Sequence, residues 1–262
     1  EHLEGRIAPS TLELIAAGRD LADASGGRAR IVVLGHDVKE LATHLAGYML
    51  DVLQADHPSL AEYTGDAYVQ AVRGIVDSTH PRIVLVAHTA QGYDFAPALA
   101  GAMDLPLLAN CLAVRAEGDR FVALRRMLNE KGLAEVEIRA ERAIVVTLRP
   151  GATAPASPGR GMMSVTAVSV SIDSAKVRVK FVRLERPQVE DIDLSSADII
   201  VSAGRGIQKK ENLALIEEFA KAIGGVVGAS RPLTDMDWLP KTRQVGQSGK
   251  TVRPKLYVAC GV

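Results

Sequence analysis

The 262-residue chain has only two cysteines, Cys111 and Cys260. That excludes a disulfide framework and a zinc site built from cysteine alone. Each lies in a strand-like apolar run, "LLANC" and "LYVAC", where a buried, inert thiol is expected rather than a nucleophile. Aromatic residues are 4% of the chain, so the core must be aliphatic. Charge of neither sign dominates: Lys+Arg and Asp+Glu both number 31. A balance of that kind excludes bulk electrostatic capture of nucleic acid or of an anionic membrane. No apolar run reaches about 18 residues, so none reads as a membrane-spanning helix. The opening "EHLEGRIAP" is charged and uneven, unlike a secretory leader, and it has no initiating Met, which reads as a cut edge. No G-x-S-x-G is present, leaving a hydrolase elbow unsupported. The six histidines, His2, His36, His44, His57, His80 and His88, show no metal-ligand spacing, and no metal is expected.

What is present is an Ala/Gly-rich aliphatic chain in which short β-branched runs alternate with helical spacing, the pattern of helices packed on a buried parallel sheet. "TLELIAAGRDLADAS" sets Leu12, Ile15, Ala16 and Leu21 at helical spacing, and "RARIVVLG" follows as a strand. "VKELATHLAGYMLDVL" reads as helix throughout, and so does "GDAYVQAVRGIVDSTH". "PRIVLVAH" is a strand, "DFAPALAGAMD" a helix with Pro97 near its start, and "LPLLANCLAV" a strand. From about Glu117 the runs "DRFVALRRM", "AEVEIRAE", "RAIVVTLRP", "VTAVSVSID" and "KVRVKFVRLE" predict strands added antiparallel to the first sheet. "RPGATAPASPGRGMMS" reads as a surface loop.

A second unit starts near Asp193. "SSADIIVSAG" is a strand, "KKENLALIEEFAKAIGG" a helix ended by Gly224 and Gly225, and "VVGAS" the next strand. A long loop, "WLPKTRQVGQSGKTVRP", then leads to the strand "KLYVACGV". This is half of a doubly wound sheet, and ligands of such sheets sit beyond the carboxyl ends of the strands. Three places qualify: "AGRG", "ASRP" and "QVGQSGK". Arg205 and Arg231 put positive charge at adjacent strand ends. Gln244, Gln247 and Ser248 add neutral donors and acceptors, and glycines allow close backbone approach. Such a set suits a polar, anionic, planar ligand. "GQSGKT" fails as a P-loop, because Gln244 stands where that motif needs Gly and Pro254 blocks the helix that must follow. "GRGIQKKE" has the first two glycines of a dinucleotide fingerprint but Lys209 at the third place. A tight strand-to-helix turn explains it equally well.

The run "ADIIVSAGRGI", continued by "ENLALIEEFAKAIGGVVGASRPLTDMDWLPKTRQVGQSGKTVRPKLYVACGV", closely resembles the α subunit of electron transfer flavoproteins. "EHLEGRIAPSTLELIAAGRDLAD" and "VVTLRPGA" resemble its amino-terminal domain. The resemblance implies an α/β domain of adenine nucleotide hydrolase type over 1–192, packing on a β subunit, and the first part of a doubly wound FAD-binding domain over 193–262. It implies an electron carrier rather than an enzyme, taking electrons from acyl-CoA or other dehydrogenases, as in fatty acid β-oxidation, and passing them to a quinone reductase or another acceptor. Its setting would be the cytoplasm, or the mitochondrial matrix in a eukaryote. "SRPLTDMDW" and "VGQSGKT" are similar to family members that bifurcate electrons with a second flavin in the β subunit.

Carried over residue by residue, the resemblance places Arg231 near the flavin ring and Ser248 at flavin N5. Ser230, Gln244, Val245, Gly246, Gln247 and Gly249 would be flavin neighbours, and Arg205 would lie near the domain interface. A guanidinium held beside the ring stabilises the negative charge added on reduction and raises the potential. In three places the chain departs from the family pattern. A strand usually precedes "EH"; a segment holding pyrophosphate and adenosine contacts and a histidine usually follows "ACGV"; and "RRMLNEKGLAEV" stands where the family usually has a Tyr-Gly-Gly or Tyr-Ala-Gly. The expected native polypeptide is therefore longer. A nucleotide-binding or scaffolding module without redox activity is the alternative reading.

Overall fold

The computed structural model of the chain describes residues 1–3, 5–128, 130–139, 142–183, 194, 197–246 and 249–262. It divides into two compact units, Glu1–Arg183 and Leu184–Val262. The boundary expected between 192 and 193 has its flanking residues outside the described ones. No helix among the described residues is long and apolar enough to cross a membrane.

In the first unit a short hairpin, β1 (His2–Leu3) and β2 (Arg6–Ile7), precedes α1 (Pro9–Ser25). Pro9 fits the first turn of α1, and Gly26 ends it at φ 61°, its N–H donating to the Ala22 carbonyl. β3 (Arg30–Gly35), α2 (Lys39–Ala46), β4 (Asp51–Asp56), α3 (Gly65–Thr79), β5 (Ile83–Ala87) and α4 (Ala90–Met103) follow. β6 (Leu107–Glu117), β7 (Arg120–Met127), β8 (Gly132–Ile138), β9 (Ile144–Leu148) and β10 (Val165–Ala167) complete the unit. One sheet runs β10-β4-β3, all parallel; the other runs β5-β9-β6-β7-β8. In the second sheet β5, β9 and β6 are parallel, while β7 and β8 add antiparallel.

The core centres on β9, whose five residues are all buried. Ile144, Val146 and Leu148 pack with Ala17 and Leu21 of α1, whereas Val145 packs with Ala96 and Leu99 of α4 and Val72 of α3. Helices thus cover both faces of β9, which is why it reads as an unbroken apolar run rather than an alternation. Each such side chain contributes about 1.5–3 kcal/mol by leaving water.

Four expectations need correcting. "VKELATHLAGYMLDVL" is not one helix: α2 stops at Ala46, Met49 turns at φ 60°, and β4 begins at Asp51. The burial of Val52, Leu53 and Ala55 inside the sheet outweighs the helical spacing. β9 and β10 are not antiparallel additions, because both pair parallel, β9 between β5 and β6. "KVRVKFVRLE" forms no strand over its described residues 177–183. Pro97 lies well inside α4 rather than at its start, so the Tyr93 carbonyl receives no bond from that position. The loop expected over 149–164 carries no helix or strand.

In the second unit β11 (Ile199–Ala203), α5 (Leu213–Ala222), β12 (Val226–Ala229), a short α6 (Arg231–Asp235) and β13 (Leu256–Cys260) form a parallel sheet of order β12-β11-β13. Leu213 and Ala220 of α5 are buried and Ile216 packs beside them, while Phe219 is 42% exposed. Gly224 ends that helical region at φ 69°. Ala203 pairs with both Ala229 and Cys260, so all three strands finish level.

Candidate functional site

The level carboxyl ends of β11, β12 and β13 form one edge in the second unit. Beyond β11, Gly204 N–H donates to the Cys260 carbonyl at 2.9 Å and Gly206 N–H to the Gly261 carbonyl at 2.8 Å. A Cβ on Gly204 would stand 2.3 Å from the Gly261 oxygen, and one on Gly206 2.7 Å from the Gly261 Cα. The two glycines of "GRG" are therefore required by backbone packing alone. Arg205 between them is exposed, in the single turn Arg205–Ile207.

Beyond β12, Ser230 opens α6 and its N–H donates to the Ala203 carbonyl at 2.9 Å. Arg231 is the first residue of that helix. Its side chain is 68% exposed, and its Nε lies 3.2 Å from Asp235 Oδ2 one turn on.

The loop after Arg243 is hooked onto the outer edge of β12. Gln244 bridges to Ala229 in parallel register, and Val245 N–H donates to the Ala229 carbonyl at 2.9 Å. The loop closes on itself through Gly249 N–H to the Gly246 carbonyl at 2.9 Å and Lys250 N–H to the Gln244 carbonyl at 2.7 Å. Gly249 is needed for that closure, since a Cβ there would stand 2.3 Å from the Gln244 oxygen. Gly246 turns at φ 115°, and no atom of the described residues lies within 4 Å of where its Cβ would stand. No helix follows within residues 251–254, in keeping with the failed P-loop context.

Of the sequence-predicted residues, Arg205, Ser230, Arg231, Val245, Gly246 and Gly249 thus lie on or beside one edge. Gln244 is buried, with its Oε1 2.7 Å from Thr234 Oγ1. Gln247 and Ser248 lie outside the described residues. Sequence reasoning passed over two residues: Thr234, and Arg243, whose Nη1 donates to the Val227 carbonyl at 2.9 Å. Nothing in their spacing marks either one.

The first unit has its own carboxyl edge, at the ends of β5, β9 and β6. Asn110 turns at φ 56° where β6 shifts register, and its N–H donates to Thr147 Oγ1 at 2.9 Å. Thr147 Oγ1 also lies 2.8 Å from His88 Nδ1. Burial, then Arg149 nearby, holds the His88 pKa below its ordinary value. Burial pushes the Cys111 thiol up to about 11, which makes it inert as expected; Cys260 is only half-buried. His36, Asp37 and Asp56 come together on the exposed surface. The Asp56 carboxylate there is occupied by the N–H groups of Asp37 and Val38, both at 3.1 Å.

Residues 1–173 match the family model of the electron transfer flavoprotein domain, and residues 193–262 match that of the electron transfer flavoprotein FAD-binding domain. The electron transfer flavoprotein subunit alpha of Bacillus subtilis is 34% identical over 260 residues, covering 99% of this chain and 79% of its own length. Protein FixB of Clostridium saccharobutylicum is 34% identical over 267 residues, covering 100% and 79%. The acryloyl-CoA reductase electron transfer subunit beta of Anaerotignum propionicum is 33% identical over 293 residues, covering 100% and 80%.

Proposed function

The chain belongs to the electron transfer flavoprotein family, with FAD as the cofactor of its second unit, and on that premise we propose that it is the α subunit of a heterodimeric electron carrier that holds the flavin ring at the ends of β11 and β12. The observation that carries this reading is the level strand edge, which presents two exposed guanidinium groups and a glycine loop hooked onto β12. The residues present fit the group. Among the described residues, nothing crowds the Cβ position of Gly246 and Arg231 is held by Asp235 alone.

FAD, when bound, supplies reversible uptake of electrons. Arg231 would supply a fixed positive charge that favours added negative charge, more strongly where water is excluded. Ser230, Val245 and Gly249 would line the approach to the ring, with Gln244 beneath them and Arg205 at the neighbouring strand end. Ser248 would hydrogen-bond the ring at N5, holding or releasing a proton there, with Gln247 beside it.

The partners in this reading are a β subunit, a donor dehydrogenase acting on acyl-CoA or another substrate, and a quinone reductase or other acceptor. A relative whose name makes it the electron transfer subunit of a reductase favours service within a larger oxidoreductase complex. The division of labour follows the chain: 1–192 packs on the β subunit and 193–262 holds FAD. Co-expression of the full protein with a candidate β subunit, followed by a visible spectrum, tests the reading. The expected result is a yellow complex with bound-flavin bands. A colourless, folded complex that takes up no added FAD would refute it.

A further inference from the structure

We propose that Thr234 and Arg243 are positioning residues that fix loop residues 244–246 and 249 relative to Arg231. The inference rests on the reading of that loop as flavin-facing.

β12 is an edge strand, so the carbonyls of alternate residues point outward, away from β11. Two of these are taken by one short stretch: Arg243 Nη1 donates to the Val227 carbonyl and Val245 N–H to the Ala229 carbonyl, both at 2.9 Å. Gln244 between them is the pivot. Its N–H donates to the Lys241 carbonyl at 3.0 Å, and its own carbonyl accepts from Lys250 at 2.7 Å. Its side chain meets Thr234, and Thr234 Oγ1 lies 2.9 Å from the Arg231 carbonyl oxygen. Gln244 and Thr234 are 5% and 1% exposed. In so dry a setting the contact is directional, and losing it removes a hydrogen bond from a buried amide.

One path of contacts therefore joins the loop to the turn of α6 that carries Arg231. Both groups read as facing the ring keep a set separation only while this path is intact. Within it, the Thr234–Gln244 contact is a buried side-chain link between α6 and the loop. Neither Thr234 nor Arg243 stands at the strand ends, so each acts through Gln244 and the loop rather than on the cofactor.

The test is Thr234→Val in the full chain, with Thr234→Ser as the conservative control. Thr234→Val keeps the volume and removes the hydroxyl. The expected results are about tenfold weaker FAD retention, shifted bound-flavin bands and a changed flavin potential. In the FAD-free protein, the Val245 and Lys250 amides should exchange faster. Thr234→Ser should restore all of these. A folded Thr234→Val variant with unchanged FAD affinity, spectrum and amide exchange would overturn the proposal. Should that variant not fold, Arg243→Gln removes the other tether at a half-exposed side chain. Its expected signature is several-fold weaker FAD retention and faster exchange at Val245, and wild-type values for both would equally overturn the proposal. A wild-type chain that takes up no FAD sinks the flavin reading, while exchange in the FAD-free protein still decides on the clasp.

Discussion

At the carboxyl ends of β5, β9 and β6, the first unit fills the edge with its own side chains. Thr147 is shared between His88 and Asn110, His88 lies edge-on to Tyr93 with ring centroids 5.6 Å apart, and Arg149 pairs with Glu130 at 2.6 Å. At the carboxyl ends of β12, β11 and β13, the second unit leaves glycine backbone and exposed guanidinium groups. Both edges are the topologically expected place for a ligand. Topology therefore offers a site at each edge, and the residues placed there decide which one is open. The strands that reach these edges also differ. β9 is buried at every position, whereas β13 is an edge strand with Leu256 and Tyr257 at 47% and 40% exposure.

The largest effects should come from the glycines where each strand turns out of its sheet. A Cβ at Gly92 would stand 1.8 Å from the Ala87 oxygen, and one at Gly204 2.3 Å from the Gly261 oxygen. Gly92→Ala should cost about 4 kcal/mol or more and unfold the first unit, as followed by thermal melting. Gly204→Ala should disturb the second unit and abolish FAD retention. If either variant melts like wild type, the tight turns do not shape the edges.

Next come paired truncations of the two strands. Ile144→Ala in β9 should cost about 2–5 kcal/mol, and Leu256→Ala in β13 no more than about 1 kcal/mol, by denaturant titration. Equal costs would mean that the contrast in burial has no energetic content.

Arg231→Ala should leave stability within about 0.5 kcal/mol, because its pair with Asp235 is exposed. It should lower the flavin potential by on the order of 30 mV, the equivalent of about 1.4 kcal/mol for two electrons. A redox titration that finds the potential unchanged removes Arg231 from the site.

The smallest effect belongs to the closed edge. Since burial lowers the His88 pKa below 6.5, the unfolded chain binds the proton more readily. Stability is then full above about pH 6.5 and falls as the pH drops through 6.5 toward the depressed folded value. His88→Gln should flatten that decline between about pH 7 and pH 5 in melts taken across the range.

Much of this was legible in the sequence. The helical spacing of α1 and α3, the glycines ending α5, and the three strands of the second unit follow from periodicity and punctuation. So does the clustering of "GRG", "ASR" and "QVGQSGK" at strand ends. The β4 error shows the limit. "DVLQAD" follows a helix that ends at Gly47 with helical spacing continuing past it, and its place inside the sheet selects the extended form. The direction of β9 was hidden for a similar reason, since an apolar run of five residues carries no sign of whether its neighbours run parallel.

The sequence by itself determined the class of fold, the aliphatic core and the residues offered to a ligand, because these depend on local periodicity and on residue type. The tertiary structure alone decided that β9 runs parallel between β5 and β6, that Gln244 turns inward to Thr234, and that Arg243 caps the edge of β12. Those outcomes depend on which outward carbonyls an edge strand leaves unpaired and which side chains can reach them. That is a matter of three-dimensional proximity, and no spacing along the chain records it.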